Sequence, residues 1–163
     1  MTGSGSRRPE ADAFQRPAVG CRIAAPVPNG RTPPMALRRL NPKSVPPPAN
    51  LYSQAIEVPA GARWLYLAGQ VGARPDGTLA DGFQEQHRQT WKNVLAILKE
   101  AGMGVEDIVK VVVYARNEAD VKYLREGRAE FVGEYHPAST FCVTGLARGE
   151  WVVEMDVIAA KVD

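Results

Sequence analysis

Apolar and polar positions follow clear periods from residue 52 onward, and these periods predict the elements of one domain. Alternation between turn residues predicts strands that are buried on one face, whereas a nearly continuous β-branched run predicts a strand covered on both faces. Apolar spacings of three, four and seven predict helices. The predicted strands are residues 53–58, 64–68, 108–115, 139–146 and 151–160, and the predicted helices are residues 83–101 and 118–135.

Turn and capping residues predict how these elements begin, end and connect. The turn Pro59-Ala60-Gly61-Ala62 predicts that the first two strands form a hairpin. Asp81 and Asn117 are in position to cap the two helices with their side-chain oxygens. Gly102 and Gly104 are expected to end the first helix in the left-handed conformation that other residues resist.

The resulting order, ββαβαββ, predicts an α+β domain with two helices on one face of a mixed sheet. Side chains alternate along a strand, so Glu154 and Asp156 are expected on one face of the last strand, together with Val152 and Ile158. Carboxylates on a partly apolar face indicate either a pocket or subunit boundary, or ordinary solvated charges at an edge. Periodicity alone leaves both interpretations open.

The first fifty residues have a different composition, since they hold ten of the thirteen prolines and no periodic apolar pattern. This predicts a disordered, Pro- and Arg-rich N-terminal extension over residues 1–40, followed by the domain over residues 41–163. Prolines interrupt any amphipathic helix. An extension upstream of a translation start at Met35 is therefore favoured over a targeting segment.

Charge is divided unevenly between these two regions. Residues 1–50 carry eight Lys and Arg against two acids, whereas residues 51–163 carry twelve against sixteen. An acidic body has no basic stripe for a phosphate backbone, which argues against a nucleic-acid partner. The chain has no apolar run long enough for a membrane helix. Cys21 and Cys142 are too far apart to indicate a disulfide framework or a metal site, so a reducing cytoplasmic compartment is expected.

Six segments in collinear order resemble the RidA/YjgF family over residues 48–161. Each is short, but their order across most of the domain is specific. The segments are Tyr52-Ser53-Gln54-Ala55, Leu67-Ala68-Gly69-Gln70-Val71-Gly72, residues 88–98, Ile108-Val109-Lys110-Val111-Val112-Val113-Tyr114, Pro137-Ala138-Ser139-Thr140 and Val153-Glu154-Met155-Asp156-Val157-Ile158-Ala159.

The resemblance implies a chorismate mutase-like fold, a homotrimer, and clefts between subunits that bind a small molecule without a metal or organic cofactor. Better-known members are imine and enamine deaminases. In them a glutamate on the last strand orients or activates the attacking water, and Glu154 aligns with it. The ligand-binding residues implied for this chain are Tyr52, Gly69, Gln70, Ser139, Thr140, Phe141 and Cys142.

In those deaminases an arginine in a Pro-Ala-Arg-Ser segment pairs with the substrate carboxylate through its planar guanidinium. Here Ala138 or Ser139 occupies that place, depending on the alignment of the following strands. Losing such an ion pair, which contributes on the order of 1.5–3 kcal/mol, weakens the binding of an acid by about one to two decades. Arg148, on the neighbouring turn, is the nearest candidate substitute, although an arginine on a turn usually faces solvent.

Two functions are compatible with these residues. The first is cofactor-independent hydrolysis of a reactive imine or enamine, with Glu154 as the catalytic residue. The second is a non-catalytic small-molecule-binding or stress-protection module that uses the same clefts. A ribonuclease activity, attached historically to the family name, is opposed by the acidic body and by the lack of a histidine pair at a suitable spacing.

Overall fold

The computed structural model of the chain describes residues 36–48 and 52–163, which form an α+β fold with two helices on a mixed sheet. The strands are β1 (Arg38–Leu40), β2 (Ala55–Glu57), β3 (Arg63–Tyr66), β4 (Gln70–Val71), β5 (Ile108–Ala115), β6 (Ala138–Val143) and β7 (Val153–Lys161). The helices are α1 (Gly82–Glu100) and α2 (Val121–Val132). The predicted α+β architecture, with both helices on one face, is confirmed.

Strand β7 is at the centre of the main sheet, whose order is β3-β7-β5-β6, with β4 also paired to β7. It runs antiparallel to β3, β4 and β5, while β5 and β6 are parallel. Parallel neighbours require a crossover connection, and α2 supplies it between β5 and β6. The sheet is therefore mixed, with one parallel pair, β5 and β6, among antiparallel pairs. Helix α1 makes a second crossover, from β4 on one side of β7 to β5 on the other.

The core lies between the two helices and one face of the sheet. Trp91, Val94 and Leu98 on α1 are at most 1% exposed, and they share the core with alternate residues of β7. Burying each of these large side chains contributes about 1.5–3 kcal/mol relative to leaving it in water. The buried residues of the sheet that belong to this core are Ile108, Val111, Val113, Ala115, Val153, Met155, Val157 and Ala159.

The ends of α1 differ in part from the capping predictions. Gly102 has a φ of 68°, as predicted, but Gly104 has a φ of −125° and is extended. Asp81 is at the N-cap of α1 and forms no side-chain capping hydrogen bond. Asn117 precedes a short 3₁₀ turn, Glu118–Asp120, so the α-helix itself begins three residues later than predicted for this cap.

The predicted hairpin of residues 53–58 and 64–68 is wrong. Strand β2 pairs with β1, and β3 pairs with β7 at the far end of the chain. Strand β1 also lies within the segment predicted to be disordered, so the folded chain begins before residue 41. The rest of that prediction concerns residues 1–35, which lie outside the described residues.

An irregularity separates β3 from β4 along the edge of β7. Leu67 donates its N–H to Val157 and Gln70 is opposite Met155, so Ala68 and Gly69 together face the single residue Asp156. An extra residue of this kind bends a strand and changes where nearby side chains point, and such bulges are common beside functional sites.

Gly72 is where β4 meets α1, and it provides the first test of the fold. A Cβ added there would be 2.5 Å from the Cα of Gln86, a backbone atom that a side-chain rotation cannot move. We therefore expect Gly72→Ala to lower the free energy of unfolding by about 1–3 kcal/mol, as overpacked cores do. The measurement is urea unfolding followed by circular dichroism.

Gly149→Ala is the matched control, because its added Cβ meets nothing within 4 Å. Its unfolding midpoint should stay close to that of the parent protein. Equal midpoints for the two variants would contradict this account of the contact between α1 and β4.

Candidate functional site

The face of the main sheet that α1 and α2 leave uncovered, called here the open face, carries the candidate site. Directly opposite residues of paired strands point to the same side. The pairing of Tyr114 with both Cys142 and Glu154, and of Glu154 with Val71, forms one row across four strands. The catalytic candidate Glu154 is therefore in the middle of the sheet, at the centre of that row.

A groove of about 300 Å³ opens beside this row. It is walled by the loop after β6 and floored by side chains of β5 and β7. Its lining residues are Tyr114, Thr144, Gly145, Leu146, Ala147, Glu154 and Asp156. A groove of this size admits a small metabolite.

Gly69 covers the Glu154 carboxylate. A Cβ at residue 69 would be 2.0 Å from Oε1 of Glu154, so only a glycine leaves room for this carboxylate position. The bulge at Ala68 and Gly69 brings the backbone this close to β7. The same feature that interrupts the edge of the sheet thus determines where the carboxylate can lie.

Burial and one neighbouring charge determine the electrostatics of Glu154. Burial raises the pKa of its carboxyl group, and the negative charge of Asp156 raises it further. The hydroxyl of Tyr114 donates a hydrogen bond of 3.0 Å to Oδ2 of Asp156. That bond raises the pKa of Tyr114, so the phenol remains a donor. A raised pKa makes a carboxylate a stronger base, which helps it to accept a proton from water.

The other predicted site residues are distributed over both faces of the sheet. Thr140 and Cys142 are opposite Val112 and Tyr114, and both share the open face with Glu154. Ser139 and Phe141 are opposite Val111 and Val113, whose side chains are buried beneath the helices. Within one chain, therefore, Ser139 and Phe141 are not brought together with Glu154.

Tyr52 lies near the β6 edge of the sheet, whereas Gly69 and Gln70 lie at the opposite edge, beside β7. Tyr52 precedes Ser53, which bridges to Ala138 at the start of β6 and donates its hydroxyl to the carbonyl of His136 at 2.6 Å. Gln70 is opposite Met155, a residue that faces the core, and its amide donates to the carbonyl of Ala68. Of the three, only Gly69 contacts Glu154 within one chain.

Sequence reasoning did not single out Tyr114, nor the loop from Thr144 to Ala147. A signal for Tyr114 was present, because it and Lys110 interrupt an otherwise apolar strand at positions that share one face. Asp156 was expected on the face of Glu154, which its register confirms. Its contact with Tyr114 depends on strand pairing, which the local pattern does not reveal.

Cations near the site are engaged elsewhere. Nζ of Lys110 donates to Oγ1 of Thr140 at 2.6 Å, near the other end of the open face. The guanidinium of Arg148 lies 5.4 Å from the ring centre of Trp151 and 4.0 Å from the Glu150 carboxylate. Arg148 is thus engaged with two residues that do not line the groove, and it is not itself a lining residue, so it does not replace the missing arginine within one chain.

The part of the chain that the structure describes holds neither a metal-binding cluster nor a helix that could span a membrane. Across residues 36–48 and 52–163, no group of His, Cys, Asp and Glu is placed to hold a metal ion. Within these same ranges, neither helix is long and apolar enough to cross a bilayer.

His87 is buried and accepts a hydrogen bond from the indole of Trp91, and burial lowers its pKa to about 4.

Comparison with known proteins identifies related chains. Residues 42–161 match the family model described as Endoribonuclease L-PSP. A RutC family protein of Pyrococcus abyssi is 34% identical over 121 residues, which are 73% of this chain and 93% of that protein. A mouse protein named 2-iminobutanoate/2-iminopropanoate deaminase is 33% identical over 113 residues, or 68% of this chain and 81% of that one.

The fold has a close counterpart among solved structures. The Yersinia pestis protein YyfB, described as a member of the conserved Rid family with unknown function, superposes with a TM-score of 0.69 at 29% identity. The match covers 77% of this chain and 98% of that protein. The similarity therefore extends over the whole domain rather than one motif.

The environment of Glu154 predicts a pH-dependent effect on stability. The ordinary pKa of this carboxyl group is 4.5, and folding raises it. As the pH rises from 4.5 through the raised pKa, the folded protein therefore loses stability relative to the unfolded chain. Glu154→Gln removes that cost, so the variant should gain stability over the parent near neutral pH and little well below pH 4.5. Urea unfolding midpoints at the two pH values measure the difference.

Asp76→Asn is the contrasting control, because hydrogen bonds from Thr78 lower the pKa of Asp76. Its carboxylate stabilises the fold above its unfolded pKa, so this variant should lose stability near neutral pH and little in acid. A shift of the same sign for both variants would contradict the assigned environment of Glu154.

Proposed function

The chain belongs to the endoribonuclease L-PSP family, the RidA/YjgF proteins, and from this membership we propose that its groove hydrolyses a small reactive imine or enamine. The observation that carries the proposal is the position of Glu154. Its carboxylate lies under Gly69 on the floor of the groove, with a pKa raised by burial and by Asp156. The deaminase names of relatives such as the mouse protein support the same reaction class.

In the proposed reaction, water adds to the C=N carbon of the protonated imine while the Glu154 carboxylate accepts a proton from that water. The product of this step is a neutral carbinolamine beside a protonated Glu154. Glu154 then returns the proton to the nitrogen, the C–N bond breaks as the C=O bond forms, and the departing ammonia takes the hydroxyl proton and leaves as ammonium. Carbonyl compound and ammonium account for all atoms and the charge of protonated imine and water, and the carboxyl group ends in its starting state.

An RNA substrate suits this groove less well, despite the name of the family model. Two carboxylates, Glu154 and Asp156, line the groove and repel a phosphate backbone. The two histidines also lack the arrangement of a phosphodiester catalyst. His87 is buried against Trp91, and Nε2 of His136 is buried without a hydrogen-bond partner among the described residues.

We propose that the chain assembles as a homotrimer that completes the small-molecule site between subunits. Strand β6 is an edge of the sheet, and among residues 36–48 and 52–163 it is covered only near its start, by the bridge from Ser53 to Ala138. Phe141 and Val143 on this edge are 39% and 49% exposed. Open strand edges with apolar side chains favour association with another chain. Such association can bring Ser139, Phe141 and Tyr52 to a neighbouring chain's groove.

A reducing cytoplasmic location fits this proposal. The described thiol, Cys142, is exposed and unpaired on the open face. Oxidising compartments favour paired cysteines, whereas cytosolic thiols stay reduced.

Glu154→Gln tests the hydrolysis. Glutamine keeps the size of the side chain but cannot accept the proton, so kcat/KM for imine hydrolysis should fall by about 10²- to 10⁴-fold. Imines with a carboxylate are generated in solution by an amino-acid oxidase and imines without one by an amine oxidase, and for both the ammonia release above the buffer rate is measured. Glu100→Gln, which removes an exposed carboxylate at the end of α1, should leave the rate unchanged.

Gly69→Ala is a second, geometric test. Its Cβ would meet the flexible end of Glu154 rather than backbone, so the fold should survive while the carboxylate moves. A displacement of about 1 Å at a reacting group can cost about 10²-fold in rate. If the rate of the parent protein equals that of buffer with every imine while ligands still bind, the protein is the non-catalytic binding module instead.

Light scattering tests the assembly. The full chain should have the mass of three copies, and Phe141→Asp should shift the population towards smaller species because it places charge on the apolar edge. Ala129→Asp, on an exposed position of α2, is the control and should leave the mass unchanged. A stable monomer at all concentrations would contradict the trimer.

A further inference from the structure

We infer that the groove around Glu154 selects a cationic imine, such as a protonated imine without a carboxylate, over the imine of an amino acid. This inference rests on the proposed function, because it names the substrate class of that same site. It depends on three observations: the charges that line the groove, the engagement of the nearby cations, and the hydrogen bond that holds Asp156 in place.

The groove is anionic. Its described lining includes two carboxylates, Glu154 and Asp156, and none of its lining residues is a lysine or an arginine. The two carboxylates are on alternate residues of β7 and point to the same face. A ligand carboxylate in this groove therefore meets two like charges, whereas a protonated nitrogen meets two opposite ones.

The described cations that could reverse this preference, Lys110, Arg116 and Arg148, are committed to other contacts within the chain. Arg116 lies two residues beyond Tyr114, and its guanidinium donates to the carbonyl of Gly149. Lys110 is four residues from Tyr114 on β5, roughly 13 Å along the strand, and it donates to Thr140. The Arg148 guanidinium stacks on Trp151 outside the groove. Ser139, one of the two residues that can align with the family's arginine, donates its hydroxyl to the carbonyl of Pro137 and has no charge to offer.

Tyr114 makes Asp156 a fixed part of the site. Its hydroxyl donates to one oxygen of Asp156, which holds the carboxylate beside the groove and leaves its second oxygen available to a ligand. Asp156 is therefore a specificity-determining residue and Tyr114 its positioning residue. Glu154 remains the group that exchanges protons with water, so the two carboxylates have separate tasks.

Three inert probes of equal size and different charge test the inference on the full-length protein. Propanamidinium, propanamide and propanoate have the same planar shape and carry positive, zero and negative charge. Their binding is followed by NMR titration. Propanamidinium should bind about ten- to a hundredfold more tightly than propanamide. Hydrogen bonds between charged groups contribute more free energy than neutral ones, and the difference corresponds to about this change in affinity. Propanoate should bind more weakly than propanamide.

Substitutions then locate the origin of the preference. Asp156→Asn should reduce the advantage of propanamidinium over propanamide by about tenfold, and Tyr114→Phe should reduce it less, because the carboxylate remains but is no longer held. Glu100→Gln removes an exposed carboxylate elsewhere and should leave the advantage unchanged. The series on the parent protein stands by itself if a variant fails to fold.

The outcomes separate this inference from the proposed hydrolysis. Tighter binding of propanoate than of propanamidinium overturns the inference and points to a cation supplied by a neighbouring subunit, whether or not imines are hydrolysed. An advantage that Asp156→Asn leaves intact also overturns it. A preference for propanamidinium without imine turnover supports the cationic ligand class and contradicts the proposed hydrolysis.

Discussion

Strand β7 is hydrogen-bonded along both edges, to β3 and β4 on one side and to β5 on the other. Its odd-numbered residues from Val153 to Ala159 pack beneath the helices, while Glu154 and Asp156 point the opposite way. A shift of one residue in its register would exchange these two sets and place carboxylates in the core. The requirement to bury the apolar set therefore fixes the carboxylates on the open face, and the geometry of the groove follows from it.

Elements with long local patterns were predicted well, and pairings between distant segments were not. Helix α1 was predicted within about one residue at each end, because its apolar spacing and its terminal glycine are local signals. The partner of β3 is the last strand of the chain, and no turn between β2 and β3 reveals that. Strand β1 has only three residues within a proline-rich region, which is too short for a detectable period.

The candidate site shows the same division. Alternation along the last strand, together with the family resemblance, was enough to select Glu154. The contact between Tyr114 and Asp156 joins residues 42 positions apart, and it exists only because β5 and β7 pair in one register. The cover over Glu154 depends likewise on an extra residue opposite Asp156, a backbone irregularity that side-chain patterns do not encode. Sequence therefore selected one residue for the proposed chemistry, and tertiary pairing added its environment.

The pairing of β1 with β2 has a practical consequence for how this protein is produced. On composition alone, an expression clone would omit the first forty residues. That truncation deletes Arg38–Leu40 and the ion pair between Arg38 and Glu57. In the truncated protein, the backbone N–H and C=O groups along that edge of β2 would lose their partners and could pair with a strand of another molecule. A cut ahead of Met35 retains the partner strand, so a difference of six residues at the N-terminus decides whether the edge of β2 is paired or exposed.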